Sequence, residues 1–419
     1  MTIRHLKTIL LSGAMITALV PLGVAAQNAA QPKAASAPAK VGAAPATTAR
    51  VAPPGPTAPM LYKGFVPSKN AFGQPDITGA WSNGTTSSLT RQAIYGDRLV
   101  MTPEEVAAIE GTRQTQIARA NKPTDPSVVD PNATTTCDVP GYSGVNCGYN
   151  AGWTDPGDRV MRVHGEPRTS FITYPVNGQP PAPKATATAV VVGPAGEGDD
   201  AGPAGRGGGR GSAPAAAAAG GRGGAAAAGG RGGGGGRGGL DPENSPERRG
   251  TAERCLTSFG GSAGPIMTDQ LYNNNYRIQQ GRDSVAIWVE MVHEVRNVRL
   301  NSKHPASSMK YWFGDAIGHY EGNTLVVETT NFRPENRIQG RSAEDLVMTE
   351  RFTRVARDRL LYQFNVHSPA NWDVDWGGEY EFAASPGIFE YACHEGNYAL
   401  EGILTGNLVA LGAPLPPAR

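Results

Sequence analysis

Four short stretches of the chain group ionisable side chains in ways that can do chemistry. Glu290 and His293 stand in VEMVHEV, and Asp315, His319 and Glu321 in FGDAIGHYEG. Glu350 and Arg351 stand in TERF, and His394, Glu395 and Asn397 in CHEGN. An imidazole near a carboxylate can pass protons as general base and general acid. The same pair of groups can ligate a divalent metal. The commonest metalloprotease spacing is missing, because H-E-x-x-H needs a second His where Asn297 and Tyr398 stand. The catalytic candidates are therefore Glu290, His293, His394 and Glu395, as acid–base groups. A divalent metal drawn from separate strands is an open but not favoured alternative, and no cofactor is assigned. The competing reading is structural, with buried His and Glu paired to Arg296, Arg351 or backbone. Glu350 and Arg351 in particular are expected to pair each on its own face of a sheet.

Gly260-Gly261-Ser262-Ala263-Gly264 matches G-x-S-x-G, but a nucleophile elbow needs a strand before the serine and a helix after it. Pro265 and a turn-rich flank make it a glycine-rich loop. The aromatics point to binding instead. Trp288, by strand alternation, shares a face with Ala286, Glu290 and Val292, opposite Val285, Ile287, Val289 and Met291. Trp312 and Phe313 sit in a loop-like segment, where a ring can stack on a sugar or an aromatic ligand. Trp288, Trp312, Asp315, His319, Glu321 and Asn397 are the candidate ligand-binding residues.

These residues need elements to position them. Residues 246–410 read as a strand-dense main part. DSVAIWVEMVHEV, NTLVVETTNF, LVMTERFTRV and RLLYQFNVHSP are β-branched and aromatic runs bounded by turn formers. ARDRL reads as the tight turn of a hairpin. Residues 59–182 form a first part of the same domain, with a strand at QPDITGAWSN and a helix behind Thr102. There Pro103 takes the first helical position and Glu105 completes a capping box. No βαβ rhythm appears. The expectation is a mainly β fold, an antiparallel barrel or sandwich, lipocalin-like as the first choice, with one small helical segment.

The address comes from the other segments. Arg4 and Lys7, the apolar run Thr8 to Val24 and the small residues Val24-Ala25-Ala26 read as a signal peptide over 1–26. Residues 27–58 read as a disordered Ala/Pro leader. Residues 183–245 read as a disordered Gly/Arg/Ala insertion, and 411–419 as a tail. No transmembrane segment is expected after signal removal. Outside residues 1–58 and the tract 201–239 the chain carries 28 Lys and Arg against 37 Asp and Glu, an acidic balance that argues against nucleic acid. Export permits disulfides. Four cysteines allow three pairings, and their positions favour Cys137–Cys147 and Cys255–Cys393.

The motifs PDITGAWSN, MTPEE, CGYNAGW, RTSFI, ERCL, NNNYRI, EMVHEVR, WFGDAIGHYEGNTLVVETTNF, TERFTRV and EYACHEGNYAL occur in that order. The chain thereby resembles a large group of exported bacterial proteins of unassigned function. Their pattern runs P-D-[LI]-[ST]-G-x-W, W-x-G-D-S-x-G-x-W-E-G-D-T-L-V-V and Y-A-C-H-E-G-N-Y. Ala316, Tyr320 and Asn323 depart from it. The resemblance implies an address and a fold, not an activity. Three functions follow as expectations. The first is a periplasmic or secreted protein binding a small apolar or aromatic molecule in a barrel pocket. The second is a hydrolase or lyase using the His/Glu groups, and the third a structural envelope protein.

Overall fold

The computed structural model describes residues 58–120, 155, 157–187, 251–252, 254–258, 264–270, 272–393, 400–402 and 404–405, all within the unit Ala52–Arg419. The expected signal peptide and leader, the Cys137–Cys147 loop, the Gly/Arg insertion beyond 187, the loop 259–263, His394, Glu395, Asn397 and the tail lie outside the described residues.

In chain order the elements are β1 (Gly79–Ser82), α1 (Pro103–Ala120), β2 (Arg162–Val163), β3 (Glu166–Pro167), β4 (Ile172–Tyr174), β5 (Asn275–Gln280), β6 (Ser284–Val289) and β7 (Val295–Leu300). There follow β8 (Asp315–Glu321), β9 (Thr324–Thr330), β10 (Arg337–Ile338), β11 (Arg341–Ser342), β12 (Val347–Ala356), β13 (Arg359–His367) and β14 (Trp376–Ala384). Among the described residues, nine strands close into a barrel in the order β1-β5-β6-β7-β8-β9-β12-β13-β14, and β14 pairs back to β1 through Trp81↔Ala384. The fold is mainly β, as expected, and closure decides between barrel and sandwich.

The barrel is mixed, which corrects the expected purely antiparallel arrangement. β7 and β8 run parallel, with Val298 opposite Ala316 and Leu300 opposite Gly318. Strand number requires this: directions that alternate around a closed ring return to register only if the number of strands is even. With nine, one neighbouring pair must run the same way. The parallel pair falls where the chain crosses through the irregular segment 301–314 instead of a tight turn. The up-and-down lipocalin pattern, which uses eight strands, does not describe this order.

Alternation along the strands fills the interior. Val285, Ile287 and Val289 of β6 are fully buried, as the sequence pattern requires, while Trp288 points outward at 44% exposure. Trp81, Tyr276, Phe352, Tyr362, Phe364, Trp376, Tyr380 and Phe382 are all at most 1% exposed. The Tyr362 ring stands 5.2 Å from those of Phe352 and Tyr380, 5.5 Å from Phe382 and 6.0 Å from Phe364. Burying each such side chain contributes roughly 1.5–3 kcal/mol. The lumen is thus a packed core and not a hollow cup.

Local signals explain the edges. Arg357 and Asp358 make the β12–β13 turn, with Ala356 opposite Arg359. At the start of α1, Thr102 N–H donates to Glu105 at 2.8 Å and Glu105 N–H donates to the Thr102 hydroxyl at 3.3 Å, the expected capping box. Arg98 grips the same carboxylate and, with the Thr102 amide, holds Glu105 down at about 2. Residues 183–187 continue onto the fold, since Lys184 N–H donates to the Asn371 carbonyl at 2.8 Å. No helix among the described residues is long and apolar enough to cross a membrane.

Candidate functional site

With the lumen filled, clefts must be sought on the outside. One such cleft opens beside Trp312, in the segment that leads into β8. Gly314 there adopts φ +69°, and a β-carbon on it would stand 2.6 Å from the Thr330 carbonyl oxygen. Only glycine permits that close return onto β9. The walls are Trp312, Phe313 and Phe332, with Ala343 and Leu346 between them. Thr251, Thr257, Ser258, Glu335, Asn336 and Arg337 add polar groups. The cavity measures about 70 Å³.

Two devices hold this cleft. Asn336 donates its amide N–H to the Trp312 carbonyl, and Arg333 lies over the Trp312 ring, 4.5 Å from its centroid. Arg333 also hydrogen-bonds Glu335 at 3.0 Å and keeps that carboxyl below its ordinary range. Between the lining residues Thr251 and Thr257 in sequence, Cys255 forms the expected disulfide with Cys393, with Cα atoms 5.9 Å apart. It ties the segment around Thr251–Ser258 to the far end of the domain.

The other expected residues scatter. Glu290 is 2% exposed and stands beyond the end of β6. The run read as one strand breaks there into a short helical turn, Met291–His293, with Val292 at φ 62°. Both Glu290 oxygens are engaged. One accepts from Asn275 N–H at 3.0 Å and the Asn275 amide at 2.7 Å, and the other from Phe389 N–H at 2.9 Å. Glu290 thus clamps β5 to the C-terminal segment. His293 follows in the turn; only its backbone is described. Trp288 faces solvent beside Val295, its cross-strand neighbour. His319 and Glu321 share the outer face of β8 and hydrogen-bond each other at 3.0 Å, and Arg351 reaches Glu321. Asp315, on the same face, is held by both guanidinium nitrogens of Arg299 at 2.6 and 2.9 Å. Burial raises its carboxyl, but Arg299 and His304 outweigh that and hold it below the usual value. The structure therefore brings Asp315, His319 and Glu321 onto one face of β8, and none of the three lines the Trp312 cleft.

Three polar groupings had weak sequence signals. Inside the barrel, Glu350 accepts from Arg296 at 3.0 Å and from the Tyr362 hydroxyl at 2.9 Å, while Arg351 pairs outward with Glu321. Opposite faces for the adjacent residues were expected, and Arg296, 54 positions away, is one of the partners that the structural reading named. Asn83 and Asp269 form a second buried grouping. Asn83 donates to the Tyr276 hydroxyl at 3.0 Å, and burial pushes the Asp269 carboxyl well above the carboxylate range. On the outer face of β14, the Glu381 carboxylate accepts from the Tyr62 hydroxyl at 2.9 Å and from His164 N–H at 2.8 Å. Burial raises the Glu381 carboxyl; burial, with Glu381 beside it, takes the Tyr62 hydroxyl up to about 12. His164 stands at φ 53° before Gly165 at φ 83°, the two-residue turn joining β2 to β3.

Comparison of the chain with protein-family models, with curated proteins and with solved structures finds no match.

Proposed function

We propose that the protein is an exported binding protein, periplasmic or secreted, that holds a small molecule by one end in the Trp312 cleft. The observation behind this reading is the contrast between a barrel filled with aromatic side chains and an open cleft of mixed aromatic and polar lining. A cavity of about 70 Å³ is roughly half the ~150 Å³ that encloses a benzene molecule. It suits a terminal group of a few heavy atoms, with the rest of the ligand lying across Trp312. Hydroxyls from Thr251 and Ser258, the Asn336 amide and the Arg337 guanidinium suit an oxygen-rich terminus, such as that of a sugar or an aromatic carboxylic acid. The Cys255–Cys393 disulfide accords with an oxidising compartment.

The test is thermal unfolding of the mature protein with monosaccharides and with aromatic carboxylic acids. One class should raise the midpoint by mass action. Trp312→Ala should lose that rise while keeping the far-UV spectrum of the barrel. A rise that survives Trp312→Ala, or none with either class, overturns the proposal. A second reading, an acid–base hydrolase or lyase, draws on Glu381, whose carboxyl is raised by burial beside Tyr62 and His164.

A further inference from the structure

The hydrogen bonds around the Trp312 cleft separate its two candidate ligand classes. The backbone of Asn336 is fixed at both ends. Its N–H donates to the Arg333 carbonyl at 3.0 Å, and its carbonyl accepts from Ala343 N–H at 2.9 Å. Its side-chain nitrogen donates to the Trp312 carbonyl, which can only accept, so the orientation of the amide is settled. The other end, Oδ1, is buried and has no hydrogen-bond partner among the described residues. Taking the cleft as the binding site proposed above, on which this step rests, we infer that it receives the hydroxyl-bearing edge of a neutral saccharide and turns away a carboxylate.

Three features carry the choice. The first is the sign of the unpartnered atom. A hydroxyl can donate to Asn336 Oδ1, whereas a carboxylate has no hydrogen to give and would set oxygen against oxygen. The second is charge. One acid and one base, Glu335 and Arg337, stand among the lining residues, so the lining carries no net charge to draw an anion. Arg337 already has a partner within the fold. Arg333 hydrogen-bonds both oxygens of Glu335, at 3.0 and 3.2 Å, and keeps that carboxyl charged, so an incoming carboxylate meets a like charge on the wall. The third is size. A cavity of about 70 Å³ does not admit a benzene ring, which fills about 150 Å³. An aromatic acid could enter only carboxylate first, toward Asn336 and Glu335. A pyranose ring can instead present a hydroxyl edge to the cavity and lay its C–H face across the Trp312 indole, one face of which Arg333 covers.

The experiment titrates the full mature chain with methyl hexopyranosides of gluco, galacto and manno configuration, and separately with benzoate. Calorimetry reports affinity, and the side-chain amide ¹H–¹⁵N signals of the wild type report on Asn336 without any substitution. The expected result is that a methyl hexopyranoside binds and shifts the Asn336 amide pair, while benzoate does not bind. Asn336→Leu should weaken the saccharide about tenfold, the worth of one neutral hydrogen bond. Benzoate bound as tightly as the saccharide or in its place, and lost in Trp312→Ala, would overturn this inference and leave the binding reading standing. Saccharide binding that leaves the Asn336 amide signals unmoved would do the same. No binding of either probe would remove the binding reading itself, and this inference with it.

Discussion

Converting Glu350 to Gln removes the only charge on its side chain while keeping its shape. Arg296 is 3% exposed and Glu350 fully buried, so the guanidinium is left charged and uncompensated inside the barrel. Burial alone lowers the Arg296 pKa, but Glu350 outweighs it and the net effect is a rise. The Tyr362 hydroxyl, which donates to Glu350 at 2.9 Å, keeps an acceptor in the glutamine carbonyl. The loss is therefore that of breaking a buried ion pair, about 3–5 kcal/mol. For a domain of this size each kcal/mol moves the midpoint by about 2–4 °C, so thermal unfolding should shift down by about 6–20 °C. Urea unfolding followed by near-UV circular dichroism measures the loss directly, provided the slope is unchanged. The double variant Arg296→Met with Glu350→Leu should recover most of it, since an apolar pair strands no charge. A single-variant loss below about 1 kcal/mol, the range of an exposed pair, would refute the reasoning. So would a double variant as unstable as the single.

Other outcomes follow from the same geometry. A β-carbon on Gly378 would stand 1.9 Å from the Phe171 carbonyl oxygen, where β4 joins β14, and backbone cannot yield as a side chain can. Gly378→Ala should cost more than about 3 kcal/mol, whereas Gly387→Ala, with nothing within 4 Å, should leave urea stability unchanged. Glu381 supplies a pH dependence. Its folded pKa is raised by burial above the ordinary 4.5, so the folded state binds that proton more tightly and this contribution is lost as pH rises from 4.5 through the raised value. Glu381→Gln should flatten that descent in a midpoint-against-pH series, and an unchanged slope contradicts the assignment. The disulfide joins residues 138 positions apart. Replacing Cys255 and Cys393 by Ser should cost about 5 kcal/mol in the chain-entropy treatment. A cost near zero in calorimetry would show that it constrains little.

Much of this architecture is readable in local pattern. Val285, Ile287 and Val289 alternate with polar positions and face the core, because β-strand side chains alternate whatever the partner strand is. The Thr102–Glu105 box and the Arg357–Asp358 turn are short-range devices, and short-range chemistry is legible. Pairing between distant strands is not. Nothing in β7 or β8 alone marks them as parallel neighbours, because the choice is set by closure of the whole ring. The apolar alternation runs on through Met291, so the break at Glu290 is invisible until the Asn275 and Phe389 donors arrive from elsewhere. The Trp312 cleft shows the same division. Trp312 is legible as a loop aromatic, while Asn336, Arg337 and Ser258 come from separate segments and converge only in the fold.

The measurement that tests the central claim most directly is indole ¹H–¹⁵N correlation of the mature protein, titrated with whichever ligand class raises its melting midpoint. The account predicts that the Trp312 indole shifts while those of Trp81 and Trp376, sealed in the barrel, hold still. Shifts confined to Trp81 or Trp376, with Trp312 unmoved, would place the ligand in the lumen and contradict it.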